Sequence, residues 1–127
     1  MLDLLAQYSP CFFFFRPPFI ATVFAPTDAA FEGVAIADEQ EVILDILLFH
    51  VVPEVALNSD MLVCTETTEM ANMEDSRHVC EKDEEGFTVR YQKGAMNPRD
   101  NMPQIVQVDV EACGGSIIHV VSQVMLP

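Results

Sequence analysis

The sequence has few basic residues. Six Lys and Arg stand against 20 Asp and Glu, which gives a formal net charge of -14 at pH 7. Nucleic acids and anionic lipid surfaces are both bound through basic faces, so this shortage disfavours nucleic-acid binding and binding to acidic membranes. The excess of carboxylates favours a self-repelling, soluble surface over a cation site, because the acidic residues do not follow the spacing of a calcium loop.

The sequence also lacks the motifs of common hydrolases and long apolar runs. There is no G-x-S-x-G elbow, and Ser116 lies three residues before His119 on a predicted strand, which puts the two side chains on opposite faces. The run Phe12–Phe15 is followed by Arg-Pro-Pro and is far shorter than the ~20 residues of a membrane helix. We therefore expect no enzymatic activity, no cofactor and no direct insertion into a membrane.

Four cysteines are present, and none of them forms a C-x-x-C pair; they are Cys11, Cys64, Cys80 and Cys113. An even number of dispersed cysteines permits two disulfides and favours an oxidising compartment. For Cys80, pairing with Cys64 and pairing with Cys113 both stay open. A zinc site made by His78, Cys80 and Cys64 is the alternative, but three scattered ligands are a weak motif. The prediction is a disulfide-bonded chain without a metal site.

Half of the 127 residues are hydrophobic, which is sufficient for one globular domain with a real core. The segment 22–25 predicts a buried strand, after which Thr27 caps a short helix. A second helix is predicted from Asp38 to about Phe49, with Asp38 and Glu41 as a capping box and an apolar face at helical spacing. Pro53 prevents its continuation.

The second half of the chain changes to a period of two, which indicates strands. Phe87, Val89 and Tyr91 predict one half-buried strand, and the alternation of valines over 106–110 predicts another. The last run, 116–126, is apolar on both faces and suits a central strand. With helices early and strands late, the sequence predicts a mixed α and β (α+β) fold.

Three segments in order resemble the signatures of the fasciclin domain family. They are Thr22–Phe31 (TVFAPTDAAF), Phe49–Pro53 (FHVVP) and Ile117–Pro127 (IIHVVSQVMLP). The resemblance implies a wedge or sandwich of a meandering β-sheet with helices packed along one edge. It places the domain at residues 21–127, after an atypical segment at 1–20. The phenylalanines of that segment are interpreted as a membrane or partner anchor, as core packing or as non-native sequence.

The family resemblance also implies a function. It indicates an extracellular or cell-surface module that mediates adhesion by binding matrix proteins, cell-surface proteins or glycans. In animal relatives, contact with integrins is linked to a Tyr-His segment and to an Asp-Ile pair before the closing signature. The matching positions are Phe49 with His50 and Asp109 with Val110, where phenylalanine replaces tyrosine and valine replaces isoleucine.

Two other interpretations stay open. The wedge of helices on a sheet could hold a small apolar ligand or pigment, with some of the seven methionines lining an adaptable groove. A fragment without a function of its own is the third hypothesis. For His50 and His119, whose neighbours are apolar, a structural role in the core is expected, and desolvation would keep both rings neutral near pH 7.

Overall fold

Seven strands in two sheets and two short α-helices form the described part of the chain. The computed structural model describes residues 20–32 and 39–127, apart from the side chain of Cys113. The helices are α1, Asp28–Glu32, and α2, Gln40–Leu48. The strands are β1 Ala21–Pro26, β2 Val51–Pro53, β3 Thr67–Glu69, β4 Asp75–Lys82, β5 Thr88–Lys93, β6 Ile105–Glu111 and β7 Ile117–Val121. Three 3-10 turns lie at Ser59–Met61, Arg99–Asn101 and Cys113–Gly115.

The larger sheet joins the two ends of the domain. Its strand order is β2-β1-β7-β6, so β1 lies beside the last strand, in parallel, with Phe24 opposite His119. β7 is therefore a central strand, as the sequence predicts from its two apolar faces, although it ends at Val121. The last residues leave the sheet and still bury Val124 and Met125.

The smaller sheet is an antiparallel meander of β3, β4 and β5. Both sheets contribute to one core, because Met70, which follows β3, clusters with Phe24 of β1 and with Phe49, Ile105 and Val121. The predicted α+β fold class is confirmed: the chain has two sheets and a few short helices. The domain boundaries stay a prediction, since residues 1–19, including Cys11 and Phe12–Phe15, lie outside the described residues.

Two of the predicted alternating patterns are wrong about which side is buried. In β5, Gln92 is fully buried, whereas Phe87 lies before the strand and is 67% exposed. In β6, Val106 and Val108 are both exposed. β6 is an edge strand with two shifts of register, so its side chains do not keep a strict period of two.

The helices follow the sequence prediction more closely. Helix α1 begins after Thr27 as predicted, but the Thr27 carbonyl, and not the hydroxyl expected as the cap, accepts the hydrogen bond from Ala30 N. Helix α2 begins at Gln40, and the Glu39 side chain makes no capping hydrogen bond. The predicted capping residue, Asp38, lies outside the described residues. None of the helices in the described ranges is long and apolar enough to span a membrane.

Candidate interaction site

A β-bulge in β6 presents Asp109 at the surface. Gln107 pairs with Val120 and Val110 pairs with Ile118, so two residues, Val108 and Asp109, lie opposite the single residue between those partners, His119. Asp109 has a φ of 59°, a left-handed conformation that aspartate tolerates better than most side chains do. An extra residue with positive φ in an edge strand is the geometry of a bulge that redirects a side chain.

The Asp109 carboxylate is held by the start of the first 3-10 turn. Its Oδ1 accepts a hydrogen bond from Ser59 N at 2.7 Å, and its Oδ2 accepts one from Ser59 Oγ at 2.6 Å. These two bonds stabilise the charged form, so the Ser59 hydroxyl first and the Ser59 amide second lower the pKa of Asp109. Asp109 is therefore an exposed, ionised carboxylate with a defined orientation.

Ser59 is itself positioned by its neighbours. The Asn58 side chain accepts hydrogen bonds from Asp60 N at 3.0 Å and Met61 N at 3.2 Å, which caps the 3-10 turn. The Arg90 guanidinium donates to Ser59 O at 2.8 Å. Strand β5 thus supports the turn that orients Asp109 on β6.

His119 supports the bulge from inside the sheet. Its ring is fully buried, its Nδ1 accepts a hydrogen bond from Asp109 N at 3.3 Å, and its Nε2 donates to Leu57 O at 2.7 Å. The ring centroid lies 5.5 Å from that of Phe24. One nitrogen accepts while the other donates, so the ring has a partner on both sides. The structural role expected for His119 is confirmed.

The aromatic pair of the second signature lies in the interior. Phe49 is fully buried and His50 is 5% exposed, whereas Asp109 is exposed and Val110 is half-buried. His50 immediately precedes β2, and β2 and β6 are the two opposite edges of the larger sheet. The structure therefore does not bring the four predicted contact residues together on one surface patch.

His50 connects the end of α2 to the end of the chain. Its Nδ1 donates to Ile46 O at 2.7 Å, and its Nε2 accepts a hydrogen bond from Met125 N at 2.9 Å. Burial lowers the pKa of His50, and the hydrogen bond to Ile46 acts in the opposite direction and only partly offsets it. The ring is neutral in this arrangement, because a protonated Nε2 could not accept from Met125.

The depressed pKa of His50 predicts an acid-sensitive fold. In the unfolded chain a histidine takes up a proton near pH 6.5, whereas the folded ring resists it, so the unfolded state binds more protons as the pH falls. The contribution of His50 to the free energy of unfolding should be complete above about pH 7 and should be lost as the pH falls through the folded pKa. The loss is about 1.4 kcal/mol for each unit by which the folded pKa lies below the unfolded pKa. Urea denaturation between pH 7.5 and 5 measures this.

A non-titrating variant isolates the contribution of His50. His50→Asn should reduce the pH dependence of the unfolding free energy, although burial also lowers the pKa of His78, which keeps part of it. An unchanged pH dependence in His50→Asn would show that His50 is not the group responsible.

A polar cleft adjoins Asp109, and the sequence did not predict that the residues of the 58–60 turn lie beside it. The cleft has a volume of about 510 Å³. Its lining includes the carboxylates of Asp60, Asp109 and Glu111, together with Asn58 and Ser116. Asn58, Ser59 and Asp60 precede Asp109 by about 50 residues, and a capping Asn is the only local signal they carry. Their meeting with β6 is a tertiary contact that no local pattern predicts.

A second, apolar groove lies between the helices and the larger sheet. Its volume is about 360 Å³. The lining residues come from β1, α1, α2 and the C-terminal segment and include Val23, Phe24, Phe31, Ile43, Leu47 and Val124. Residues Ile43 and Leu47 of α2 remain exposed on this side. If the chain carries a small apolar ligand, as the alternative hypothesis has it, this groove is where the ligand would bind.

In the described part of the chain, one cluster of side chains has the chemistry of a metal site. It consists of Cys64, His78 and Cys80, whose ligand atoms lie within 4.8 Å of one another. In the structure the two sulfurs form a disulfide with a Cα–Cα distance of 5.5 Å. The sequence leaves two pairings open for Cys80, and the structure has the pairing with Cys64. The predictions for Cys11 and for the side chain of Cys113 lie outside the described residues.

Comparison with known proteins gives one finding that covers most of the chain. A search of curated proteins found no match to it. The model of the family described as "Fasciclin domain" matches residues 18–127, a range that contains all three signature segments and every strand described above. Because the match covers far more than half of the sequence, the chain belongs to the fasciclin domain family.

Proposed function

We propose that this chain is an extracellular adhesion module that binds a matrix or cell-surface partner through the Asp109 bulge of β6. Fasciclin domains are in general extracellular, adhesion-related and non-enzymatic. The single observation that carries the site is the exposed carboxylate of Asp109, which two hydrogen bonds from Ser59 orient and keep ionised.

The chemistry of Asp109 favours a partner with a cationic or hydrogen-bond-donating group. An ionised carboxylate has about four lone-pair sites, and Ser59 uses one on each oxygen, so acceptor capacity remains on both. A guanidinium or ammonium group of a protein, or the hydroxyls of a glycan, would complete it. The net charge of -14 attracts cationic groups over longer distances and repels anionic ones.

Exposed apolar side chains lie on the same strand as Asp109. Val106 and Val108 are 52% and 41% exposed, and Val110 is half-buried. A small apolar surface beside one oriented charge is a common composition for a protein-binding site, in which the apolar contacts exclude water from the charged pair. β6 is also an edge strand, but the bulge interrupts the row of backbone groups that another strand would need for pairing.

In this proposal the buried residues Phe49 and His50 do not touch the partner but support the packing beneath Asp109. The His50 carbonyl accepts a hydrogen bond from Phe24 N at 2.8 Å, and the Phe24 ring packs on His119, which accepts from Asp109 N. Substitutions at Phe49 or His50 would therefore affect binding through the packing beneath the sheet. Asp109 and Val110 are the contact residues, and Phe49 and His50 are positioning residues.

Replacing the Asp109 carboxylate should weaken adhesion strongly. Asp109→Asn keeps the size of the side chain and removes its charge, and loss of one charged contact lowers affinity by roughly tenfold or more. The measurement is the number of cells, or the amount of matrix protein, retained on a surface of the immobilised chain. The matched control is Asp100→Asn, because Asp100 is an exposed carboxylate of a separate surface cleft.

The outcomes of this experiment separate the site from the function. Retention that falls in Asp109→Asn but not in Asp100→Asn, with equal melting temperatures, supports both. Equal retention on surfaces coated with wild type, Asp109→Asn and Asp100→Asn would place the adhesive contact elsewhere on the domain. Retention no higher than on the heat-unfolded wild-type chain contradicts the adhesive function itself.

A carrier of a small apolar ligand is the second candidate function, and the apolar groove favours it. A volume of about 360 Å³ lies within the usual range of small-molecule pockets, and its lining is apolar. Extraction of the natively purified protein with organic solvent should then yield a lipid or pigment in proportion to the protein. An extract without such a compound counts against this candidate.

A further inference from the structure

One buried side-chain nitrogen in the described part of the chain has no hydrogen-bond partner: Nε2 of His78. The residue is only 2% exposed, so bulk solvent does not reach this atom. A ring nitrogen of His78 and the Sγ atoms of Cys64 and Cys80 lie within 4.8 Å of one another. The ring that carries the unpaired nitrogen therefore belongs to a group of three potential metal ligands.

A chain of buried hydrogen bonds determines which tautomer His78 adopts. Its Nδ1 donates to Gln92 Oε1 at 2.9 Å, and Gln92 Nε2 donates to Ser76 Oγ at 2.8 Å. With the proton on Nδ1, the Nε2 atom carries a free lone pair. Histidine ligands in metal sites have this arrangement, in which the second nitrogen donates to an oriented oxygen that sets the ring position.

The backbone holds Cys64 near His78 without help from the disulfide. Thr65 N donates to His78 O at 2.7 Å, and His78 N donates to Glu66 O at 3.0 Å. Cys80 lies two residues after His78 on β4, so both side chains are on the same face of the strand. The three ligands would thus remain together after the S–S bond is broken. Cys64 is exposed, which gives a reductant access to the bond.

We propose that Cys64, His78 and Cys80 form a binding site for a thiophilic divalent ion of the zinc class when their disulfide is reduced. A dithiol breaks the S–S bond, closes to its own disulfide and passes its two protons to the two sulfurs. The metal ion then displaces both thiol protons. Two thiolates and one neutral imidazole are a ligand set that Zn²⁺ favours. Residues of the smaller sheet and its adjoining loop provide all three, so the site is independent of Asp109.

The proposal predicts that Zn²⁺ stabilises only the reduced protein. The measurement is the melting temperature of the full chain, oxidised or treated with a phosphine reductant, with and without Zn²⁺. At a Zn²⁺ concentration about 100 times the dissociation constant, the reduced protein should melt about 5–10 °C higher, and the oxidised protein should not change. If the reduced chain is unfolded without metal, Zn²⁺ should restore a cooperative melt.

Variants identify the ligands. Reduced His78→Gln and Cys64→Ser should lose the shift, and Cys11→Ser/Cys113→Ser should keep it. Co²⁺ gives a second readout: the reduced wild-type chain should acquire thiolate-to-cobalt absorption that Zn²⁺ abolishes, and reduced Cys64→Ser should lose most of it. The proposal is overturned if Zn²⁺ neither shifts nor restores the melt of the reduced wild-type chain. It is also overturned if the shift survives Cys64→Ser but disappears in Cys11→Ser/Cys113→Ser.

Discussion

Gly94→Ala should destabilise the domain by roughly 3 kcal/mol or more, a large effect for one added methyl group. A Cβ atom at this position would lie 1.9 Å from Leu126 O and 2.6 Å from Phe49 Cε2. Neither neighbour can move easily, because Phe49 is fully buried and Leu126 O accepts a hydrogen bond from Met96 N at 3.3 Å. Urea denaturation of the purified variant measures the loss.

Gly86→Ala is the matched control for this effect. Gly86 has a φ of +88°, and a Cβ there would meet no atom within 4 Å. The control therefore carries only the cost of a left-handed backbone for alanine, about 1–2 kcal/mol. If both variants lost the same free energy, the close approach of Gly94 to the C-terminal segment would not be responsible.

The second large effect is expected at Asn97, which joins the same turn to the end of the chain. Its Oδ1 accepts from Gly94 N and from Leu126 N, both at 2.9 Å, and its Nδ2 donates to Val124 O at 3.0 Å. Asn97→Ala would leave three backbone groups without their partners in a mostly buried place. At about 1–3 kcal/mol for each unsatisfied group, a total loss of about 3 kcal/mol or more is expected.

The comparison for Asn97 is Asn101, an exposed residue of the second 3-10 turn. Asn101→Ala should change the free energy of unfolding by no more than about 0.5 kcal/mol, as is usual for surface positions. A loss in Asn97→Ala as small as that of Asn101→Ala would mean that the turn does not hold the C-terminal segment.

Gly94 and Asn97 connect the second signature segment to the third in the folded domain. Phe49 of the second segment lies against Gly94, and Leu126 of the third lies against the same glycine. His50 adds a hydrogen bond from Met125 N. The end of the chain is thus bound to the end of α2 through the 94–97 turn, which buries Phe49, Val124 and Met125 together.

The sequence predicts those elements that depend on local chemistry. Thr27 predicts the start of α1, and the two apolar faces of the last run predict a central strand, which β7 is. The same reasoning gives the short length of α2, because Pro53 follows closely and excludes a longer helix.

The candidate site was not predictable in the same way, because its parts are distant in the sequence. Asp109 is oriented by Ser59, 50 residues earlier, through a bulge that depends on the register of β6 against β7. A shift of register reverses which side chains face outward, and alternation alone does not reveal it. The burial of Phe49 likewise results from Gly94 and the C-terminal segment, which the sequence around Phe49 does not indicate.

The most direct test of the account is inhibition of adhesion by the soluble domain. Wild-type chain in solution should compete for the partner and reduce attachment of cells or matrix protein to a surface coated with the same chain. Asp109→Asn should need roughly tenfold or more protein for the same inhibition. Equal inhibition by the two proteins would contradict the account, because the partner would then bind the domain without the Asp109 carboxylate.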